Sequence, residues 1–517
     1  MDRIIDNELG KLPAIPRTQK LACIAVLLVL AWPVSVWMHT SWYALHLHAD
    51  STYPESAVVH NAMLAVQDGH LYRSWHEEPF TPAPYGPLYY ALLASIAKIG
   101  SLDHIQLLIA GRILTFAAFL GTLLLIYRLS HRLDLSPLHA YIAVAFFAAL
   151  QEVVPWNATV RPDFIALFFS LVGFMICTKD SASNRDLMLG GVCFAVSLMF
   201  KQSFLVAPAV VFMMLLTQRR TKSLFAFAVP VFGIIGFCLI APWLHGDAVF
   251  SNLLTTGQGV IDLQNSFSSL FDSLVYPGIH LPIIVCTFVG VIGWKKQRNP
   301  RILSDYLLLV WFLGVLIWIR ILGSNINVFL EAWVVSAVFA GIGLRYMVEK
   351  NRVLAPVLIV CAILVSSLHP VHGLQQLYIQ KMNEMPGLSG IEDLVSHYRI
   401  LTDDSYLEAL SASPIMLEPC GNNQMEQSGV WDPKPVIDLV HGKRFDMVIL
   451  SVEGRFIRRY RYMPFFSVSI LKALNTDYVL KCHIPKSPGV SSLAVWLPRY
   501  MHEDPVLMDA LYSRGCK

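Results

Sequence analysis

Charge is scarce in this 517-residue chain. Asp, Glu, Lys and Arg together supply 15 % of it, against 55 % hydrophobic residues and a mean hydropathy of +0.54. That balance excludes an ordinary soluble globular protein and a disordered or nucleic-acid-coating chain, both of which need dense charge. The nine cysteines lack metal-like pairing. Cys23, Cys177, Cys193, Cys238, Cys286 and Cys361 lie in or beside apolar runs and read as small buried hydrophobes. Cys420, Cys482 and Cys516 fall in a polar tail, where one disulfide is expected without spacing choosing the pair. A cleavable signal is missing too, because the run Leu21–Met38 is too long for a signal core and no small-residue cleavage site follows it. It reads as an anchoring first span.

What is present is a series of apolar runs of helix-spanning length. They lie at Leu21–Met38, Ile105–Tyr127, Leu138–Val154, Phe164–Cys177, Leu187–Phe200, Phe204–Leu216, Leu224–Leu244, Leu281–Trp294, Tyr306–Ile319, Val328–Leu344 and Val353–Leu368. The fold class that follows is an α-helical polytopic membrane protein of about 11 spans. The run Pro87–Ile99 is short for a span of roughly 20 residues. Read as an outer-face half-helix, it leaves every basic cluster on one side, from Arg3, Lys11, Arg17 and Lys20 to Arg345, Lys350 and Arg352. Positive charge marks the cytoplasmic side. The N-terminus is then cytoplasmic, and the outer face carries loop 39–90, the Glu152–Asp163 turn, Lys201 with Gln202, the loop Gly246–Tyr276, the turn Arg320–Asn327 and everything after about residue 371.

That tail mixes polar and apolar residues. Strand-like runs at Arg399–Leu401, Pro414–Leu417, Met447–Val452 and Tyr478–Cys482 alternate with helix-like ones at Ile391–Tyr398, Ser405–Ala412 and Pro433–Gly442. Alternation of this kind predicts a small C-terminal α/β extracytoplasmic domain over 371–517, after a transmembrane domain over 1–370. No G-x-G-x-x-G, P-loop or metal-ligand motif occurs in it, so it reads as a lid or acceptor-recognition element.

The chemistry-bearing stretch is His48–Tyr90. Pro54 and Gly69 predict a helix starting near Glu55 and lying on the bilayer. At about 100° per residue, Val58, Val59, Ala62, Met63 and Val66 surround Glu55, while His60, Asn61, Gln67 and Asp68 fall opposite. Glu55 either complements the helix dipole or faces a cavity beneath the loop. A second signal is the segment Trp156–Asp163, where proline again opens a helix with an acid in its first turn and Arg161 is adjacent. Lys201 interrupts apolar sequence on the outer side, where an ionisable residue is a functional candidate by default and a snorkelling anchor otherwise. The third signal runs from Gly323 to Glu331. Asn325 and Asn327 there are candidates for sugar contact or for helix capping, and Glu331, one turn inside a span, needs a partner, for which Arg320 is nearest. Tyr85, Tyr89, Tyr90, Trp75 and Phe80 suggest an interfacial aromatic belt, some of it able to stack on a sugar.

Outer-face acids beside cations suit sugar transfer from a lipid phosphate. Cations hold the donor phosphate, and a carboxylate takes the proton from an attacking hydroxyl.

In order, these parts resemble the GT-C superfamily of integral-membrane glycosyltransferases, and within it the bacterial protein O-mannosyltransferases, lipid A aminoarabinose transferase and lipopolysaccharide-core transferases. The resemblance rests on Tyr53-Pro54-Glu55, Tyr85-Gly86-Pro87-Leu88-Tyr89, Arg161-Pro162-Asp163, Lys201 before a proline-containing span, and the Gly-Ser-Asn-Ile-Asn turn with Glu331. It covers Leu21–Leu368. It implies an inverting glycosyltransferase of the inner membrane, drawing a sugar from a polyprenyl phosphate and passing it to a lipid, glycan or protein acceptor on the outer face. Asp50 or Glu55 inherits the role of base or metal ligand, with Asp163 as second acid. Lys201, Arg161 and Arg320 would hold donor phosphate; Tyr85, Tyr89, Asn325, Asn327 and Glu331 would meet sugar or acceptor. Members differ in needing a divalent cation such as magnesium or manganese, and that choice stays open here. A polysaccharide polymerase or ligase is the sibling reading, but its expected arginine-rich outer loop is missing. A lipid-linked-sugar transporter would show internal repeats, which this sequence lacks, and a tail-bearing sensor has no need of so many spans.

Overall fold

Uninterrupted apolar sequence leaves the backbone no partner in lipid except itself, so helices are the expected outcome. The computed structural model describes residues 17–51, 55–150, 153, 156–240, 246–255, 280–296, 302–320, 326–350, 391–412, 417–451, 466–487, 491–499 and 505–516. Every predicted apolar run overlaps a helix apart from Val353–Leu368, which lies outside the described residues, as do parts of 151–154 and 241–244 at the ends of two other runs. The helices are α1 (Arg17–His46), α2 (Glu55–Asp68), α3 (Pro87–Gly100), α4 (His104–Arg132), α5 (Pro137–Ala148), α6 (Asp163–Cys177), α7 (Asn184–Phe200), α8 (Val206–Thr217), α9 (Thr221–Ile240), α10 (His280–Lys296), α11 (Ile302–Arg320) and α12 (Leu330–Lys350). Three stretches, Lys20–His46, His104–Arg132 and Asn327–Lys350, are long and apolar enough to cross a membrane by length and composition. This is a membrane protein. At 14 residues, α3 rises about 21 Å, short of the roughly 30 Å hydrocarbon core.

Small residues set the closest helix approach. A Cβ on Gly343 would lie 1.8 Å from the Cys286 carbonyl oxygen, and one on Gly290 2.0 Å from that of Phe339. Glycines at the crossing let α10 and α12 touch backbone to backbone, as membrane helices do where lipid offers no hydrophobic drive to associate.

One local expectation is corrected. The helix α2 begins at Glu55 and hands over to Gly69 at φ +80, as its end signals require. It does not lie as an amphipathic ribbon with its polar side free, for His60 and Asn61 are buried along with Val58, Val59 and Ala62. The reason is a cover on its second side: α2 packs against α3 and α4 below and against the tail helix α13 (Ser405–Ala409) above.

The C-terminal residues form a four-stranded mixed sheet in the order β1-β2-β4-β3. Strands β1 (Ile400–Thr402) and β2 (Met447–Ser451) are parallel, and β3 (Tyr478–Ser487) and β4 (Ser491–Pro498) form an antiparallel hairpin paired to β2 through β4. The helices α14 (Pro419–Gln427), α15 (Lys434–His441), α16 (Val468–Asp477) and α17 (Pro505–Tyr512) complete it. Of the expected Pro414–Leu417 strand, residues 414–416 lie outside the described residues and Leu417 is not in a strand. One side of the sheet shares its apolar core with the loop between α2 and α3: Trp75 and Phe80 are buried among Leu417, Trp431, Val448 and Tyr478. Asn422 Nδ2 donates to the Phe80 carbonyl at 3.0 Å.

Cys482 and Cys516 form the disulfide, 34 residues apart, tying β3 to the segment after α17. Cys516→Ala is expected to lower the stability of this region by about 3–4 kcal/mol, the loop-closure entropy of a ring of that size. Unfolding of the intact protein with and without reductant reads it, and superimposable curves would refute it.

Candidate functional site

Two acid centres are built at helix starts, one on Glu55 and one on Asp163. Glu55 is fully buried at the start of α2. Arg112, fully buried in α4, reaches it twice, Nε to Oε1 at 3.0 Å and Nη2 to Oε2 at 2.8 Å. Ser51 donates its amide and hydroxyl to Oε2 at 2.6 and 2.7 Å, and the Val160 amide donates to Oε1 at 2.7 Å. Arg112 spends its other protons on the carbonyls of Ala44, Leu47 and Ala49. Burial alone would raise the Glu55 carboxyl, but the Arg112 charge and these bonds outweigh it and hold it below its ordinary value. Glu55 is thus an ionised knot joining the outer loop, α4 and the turn that leads into α6.

Asp50 belongs to the same knot from the other side. Its Oδ1 accepts from the Ser56 amide at 2.9 Å and hydroxyl at 2.5 Å, and its Oδ2 from the Ser405 hydroxyl of the tail at 2.7 Å. Burial, and next the charge of Glu55, raises its carboxyl to about 7 against the pull of those hydroxyls.

The second centre is Asp163, fully buried at the start of α6. Helices α6 and α7 run side by side, with Ser197 Oγ donating to the Ala166 carbonyl at 2.7 Å. This pairing carries Lys201, which follows α7, to Asp163 at the start of α6. The Lys201 ammonium donates to Asp163 Oδ1, and Asn327 Nδ2 donates to the same oxygen at 2.8 Å from the turn before α12. Asp163 Oδ2 is buried and has no partner among the described residues. Lys201 keeps 13 % of its side chain accessible and spends one of its three ammonium protons on Asp163.

Around this pair the predicted residues divide. The Arg161 guanidinium covers the Trp156 ring at 4.4 Å and lies within bonding reach of the Tyr85 hydroxyl, which burial pushes up to about 12. Tyr85, Tyr89 and Tyr90 are buried and packed on one another, so they form a closed aromatic cluster instead of an exposed belt. Glu331 accepts from Ser170 Oγ at 3.0 Å and from the Tyr306 hydroxyl, because the first turn of α12 faces α6 and α11; the side chain of Arg320, its expected partner, lies outside what the structure describes. Arg320 ends α11 and Asn325 lies outside the described residues. Among the described residues, no group of three or more His, Cys, Asp or Glu is placed to hold a metal ion.

Sequence reasoning missed Arg112, Tyr306, Ser170 and the tail residue Ser405. An arginine eight residues into a long apolar helix was the available signal, since such a charge needs a partner. It also missed why Gly86 is glycine. The Gly86 amide donates to the Phe200 carbonyl at 3.1 Å, and a Cβ there would sit 2.1 Å from the Met199 carbonyl oxygen. Gly86→Ala is expected to cost about 2 kcal/mol and to shift the end of α7, with Lys201, away from Asp163. Thermal unfolding together with transfer assays checks this, and an unaltered variant would overturn the close approach.

No model of a known protein family matches the sequence, and no curated protein matches it. Solved structures do. The chain is similar to ArnT from Cupriavidus metallidurans bound to undecaprenyl phosphate, at 10 % identity and TM-score 0.53, over 91 % of this chain and 97 % of that one. The apo form of the same protein gives 11 % and 0.51 over the same shares. The Archaeoglobus fulgidus oligosaccharyltransferase, in complex with zinc and sulfate, gives 12 % and 0.50 over 91 % of this chain and 73 % of that one. At such identities the likeness is one of fold, and it spans helices and tail together. The chain has the fold of the GT-C integral-membrane glycosyltransferases.

Proposed function

We propose that this protein is an inverting glycosyltransferase that moves a sugar from a polyprenyl phosphate to a lipid, glycan or protein acceptor on the outer face of the cytoplasmic membrane. The observation that carries the proposal is the state of Asp163: one carboxylate oxygen held by Lys201 and Asn327, the other buried without a partner among the described residues. A carboxyl group with one oxygen held by a lysine and the other without a partner among the described residues is fitted to accept a proton from an acceptor hydroxyl. The hydroxyl oxygen forms its bond to the anomeric carbon as the carbon–oxygen bond to the polyprenyl phosphate breaks, and the phosphate leaves as an anion. Lys201 and Arg161 stabilise that departing charge with the protons they have left, and Arg320 is a further candidate for it.

In this reading Glu55 positions and Asp163 reacts. Glu55 cannot serve as base without breaking both contacts to Arg112. Asp50 stands between these roles, with a carboxyl near neutrality and its oxygens held by two serines. Asn327 holds Asp163, and Tyr85, Tyr89, Asn325 and Glu331 remain candidates for sugar or acceptor contact. A divalent cation remains compatible with these acids. Residues 1–370 act as the transmembrane domain and 371–517 as an outer-face domain over the site, with the N-terminus cytoplasmic. ArnT bound to undecaprenyl phosphate supports the donor class through the shared fold.

The test is release of free polyprenyl phosphate from radiolabelled polyprenyl-phosphate sugars by membranes containing the protein. Lys201→Met should lower release at least tenfold, since a hydrogen bond to a charged group contributes about 1.5–3 kcal/mol. Equal release by wild type and Lys201→Met would sink the site assignment.

A further inference from the structure

Lys201 follows the last turn of α7 in extended backbone, at φ −151 and ψ 116, where the helix ladder stops holding the chain. A lysine side chain is flexible, so its aim at Asp163 depends on what grips the residues either side. Both are gripped by the segment that leads into α3. The Phe200 carbonyl accepts from the Gly86 amide at 3.1 Å, and Gln202 Nε2 donates to the Pro84 carbonyl at 3.0 Å.

A third element enters through the same glutamine. Gln202 Nε2 also donates to the Leu253 carbonyl at 3.3 Å, in the stretch after α9 where a helical turn, Gly246–Phe250, continues as a wider π-type turn, Ser251–Thr255. Asn252 in that turn is fully buried. Its Oδ1 accepts from the Ala83 amide at 2.6 Å, while its Nδ2 donates to the Arg73 carbonyl at 2.9 Å and to the Ala248 carbonyl at 2.7 Å. A carboxamide offers an acceptor and two donors on one side chain, and here it clasps both limbs of 73–83 onto its own turn. A buried amide is costly unless bonded in this way. Residues 83–86 are thereby held between Asn252 on one side and residues 200–202 on the other, with Lys201 at the centre of the second group.

We propose that Asn252 and Gln202 are positioning residues that brace Lys201 against Asp163, so that the loop after α9 sets where the ammonium stands. The inference rests on the reading of Lys201 as holder of the donor phosphate. A shift of about 1 Å is enough to cost a preorganised group much of its effect on a reaction.

The experiment uses the full-length protein in phosphatidylcholine nanodiscs and takes two readings. Acetylation of the Lys201 amine by acetic anhydride, followed by mass spectrometry, should run at least about fivefold faster in Gln202→Met and Asn252→Ala than in wild type, because an amine loosened from its carboxylate gives up its proton more readily. The exposed Lys472 of α16 should react equally in all three. Release of polyprenyl phosphate at subsaturating donor should fall about tenfold in Gln202→Met, but by less than about twofold when the same substitution is added to Lys201→Met, since the brace then has nothing to place. Residues that merely hold the fold would lower release by the same factor in both backgrounds and leave Lys201 acetylation unchanged, and either result overturns the proposal. Should Asn252→Ala fail to fold, Gln202→Met, at an exposed position, carries both readings. Wild-type protein without release, together with faster Lys201 acetylation in the variants, would remove the transfer reaction and keep the brace.

Discussion

Asp163→Asn should lower sugar transfer by about a hundredfold to ten-thousandfold, the range removed when a positioned base is lost, while the protein still inserts and folds. The two halves of that expectation come from different atoms. Amide replacement keeps an oxygen able to accept from Lys201 and Asn327, so packing around the start of α6 survives. It removes the negative charge and puts an N–H donor where Oδ2 has no partner among the described residues. Affinity for the donor lipid should change far less than turnover, because the phosphate-binding protons belong to Lys201 and Arg161. Turnover within threefold of wild type at equal protein would remove Asp163 from the chemistry.

Arg112→Met should produce the opposite phenotype, with little folded protein to assay. Removing one member of a buried ion pair strands the other charge, at a cost of about 3–5 kcal/mol. Here the stranded group is Glu55, and three backbone carbonyls lose their donor as well. Glu55→Gln should be damaging for the same reason, though less so, since its one amide oxygen still accepts from Ser51 or from Val160. The discriminating measurement is a double-mutant cycle. The pair Arg112→Met with Glu55→Met should be more stable than Arg112→Met alone, because no unpaired charge is then buried. Strictly additive losses would mean that the knot is not one coupled unit.

The contrast between these acids also marks what the sequence disclosed. Asp163 and Lys201 were recognisable separately, each a charge at the mouth of an apolar run. Their meeting depends on α6 and α7 being consecutive antiparallel helices, which short connections favour. Glu55 was recognisable as a carboxylate on an apolar stripe. Its partner was not, because Arg112 sits within Ile105–Tyr127, where hydropathy averages one charge away. Glu331 was recognisable as an acid needing a partner, but the tyrosine and serine that bond it come from two other helices, which sequence spacing does not bring together. Strand β4 escaped notice because Ser491–Pro498 lacks clean alternation and a turn signal in its own right; its pairing with β3 is what makes it a strand. The burial of His60 and Asn61 was equally invisible, since a helical wheel knows nothing of a cover contributed by residues more than three hundred positions later.

That cover has a consequence for biosynthesis. Ser405 binds Asp50 across 355 positions and Asn422 binds Phe80 across 342, with Trp75 closed into the same apolar cluster as the sheet. Ribosomes deliver the loop long before its cover, so Trp75 and Phe80 must wait until the sheet has folded. The region around Asp50 and Glu55 is therefore among the last things this chain completes, and a stalled or clipped translation product would carry both acids without the tail that closes over them.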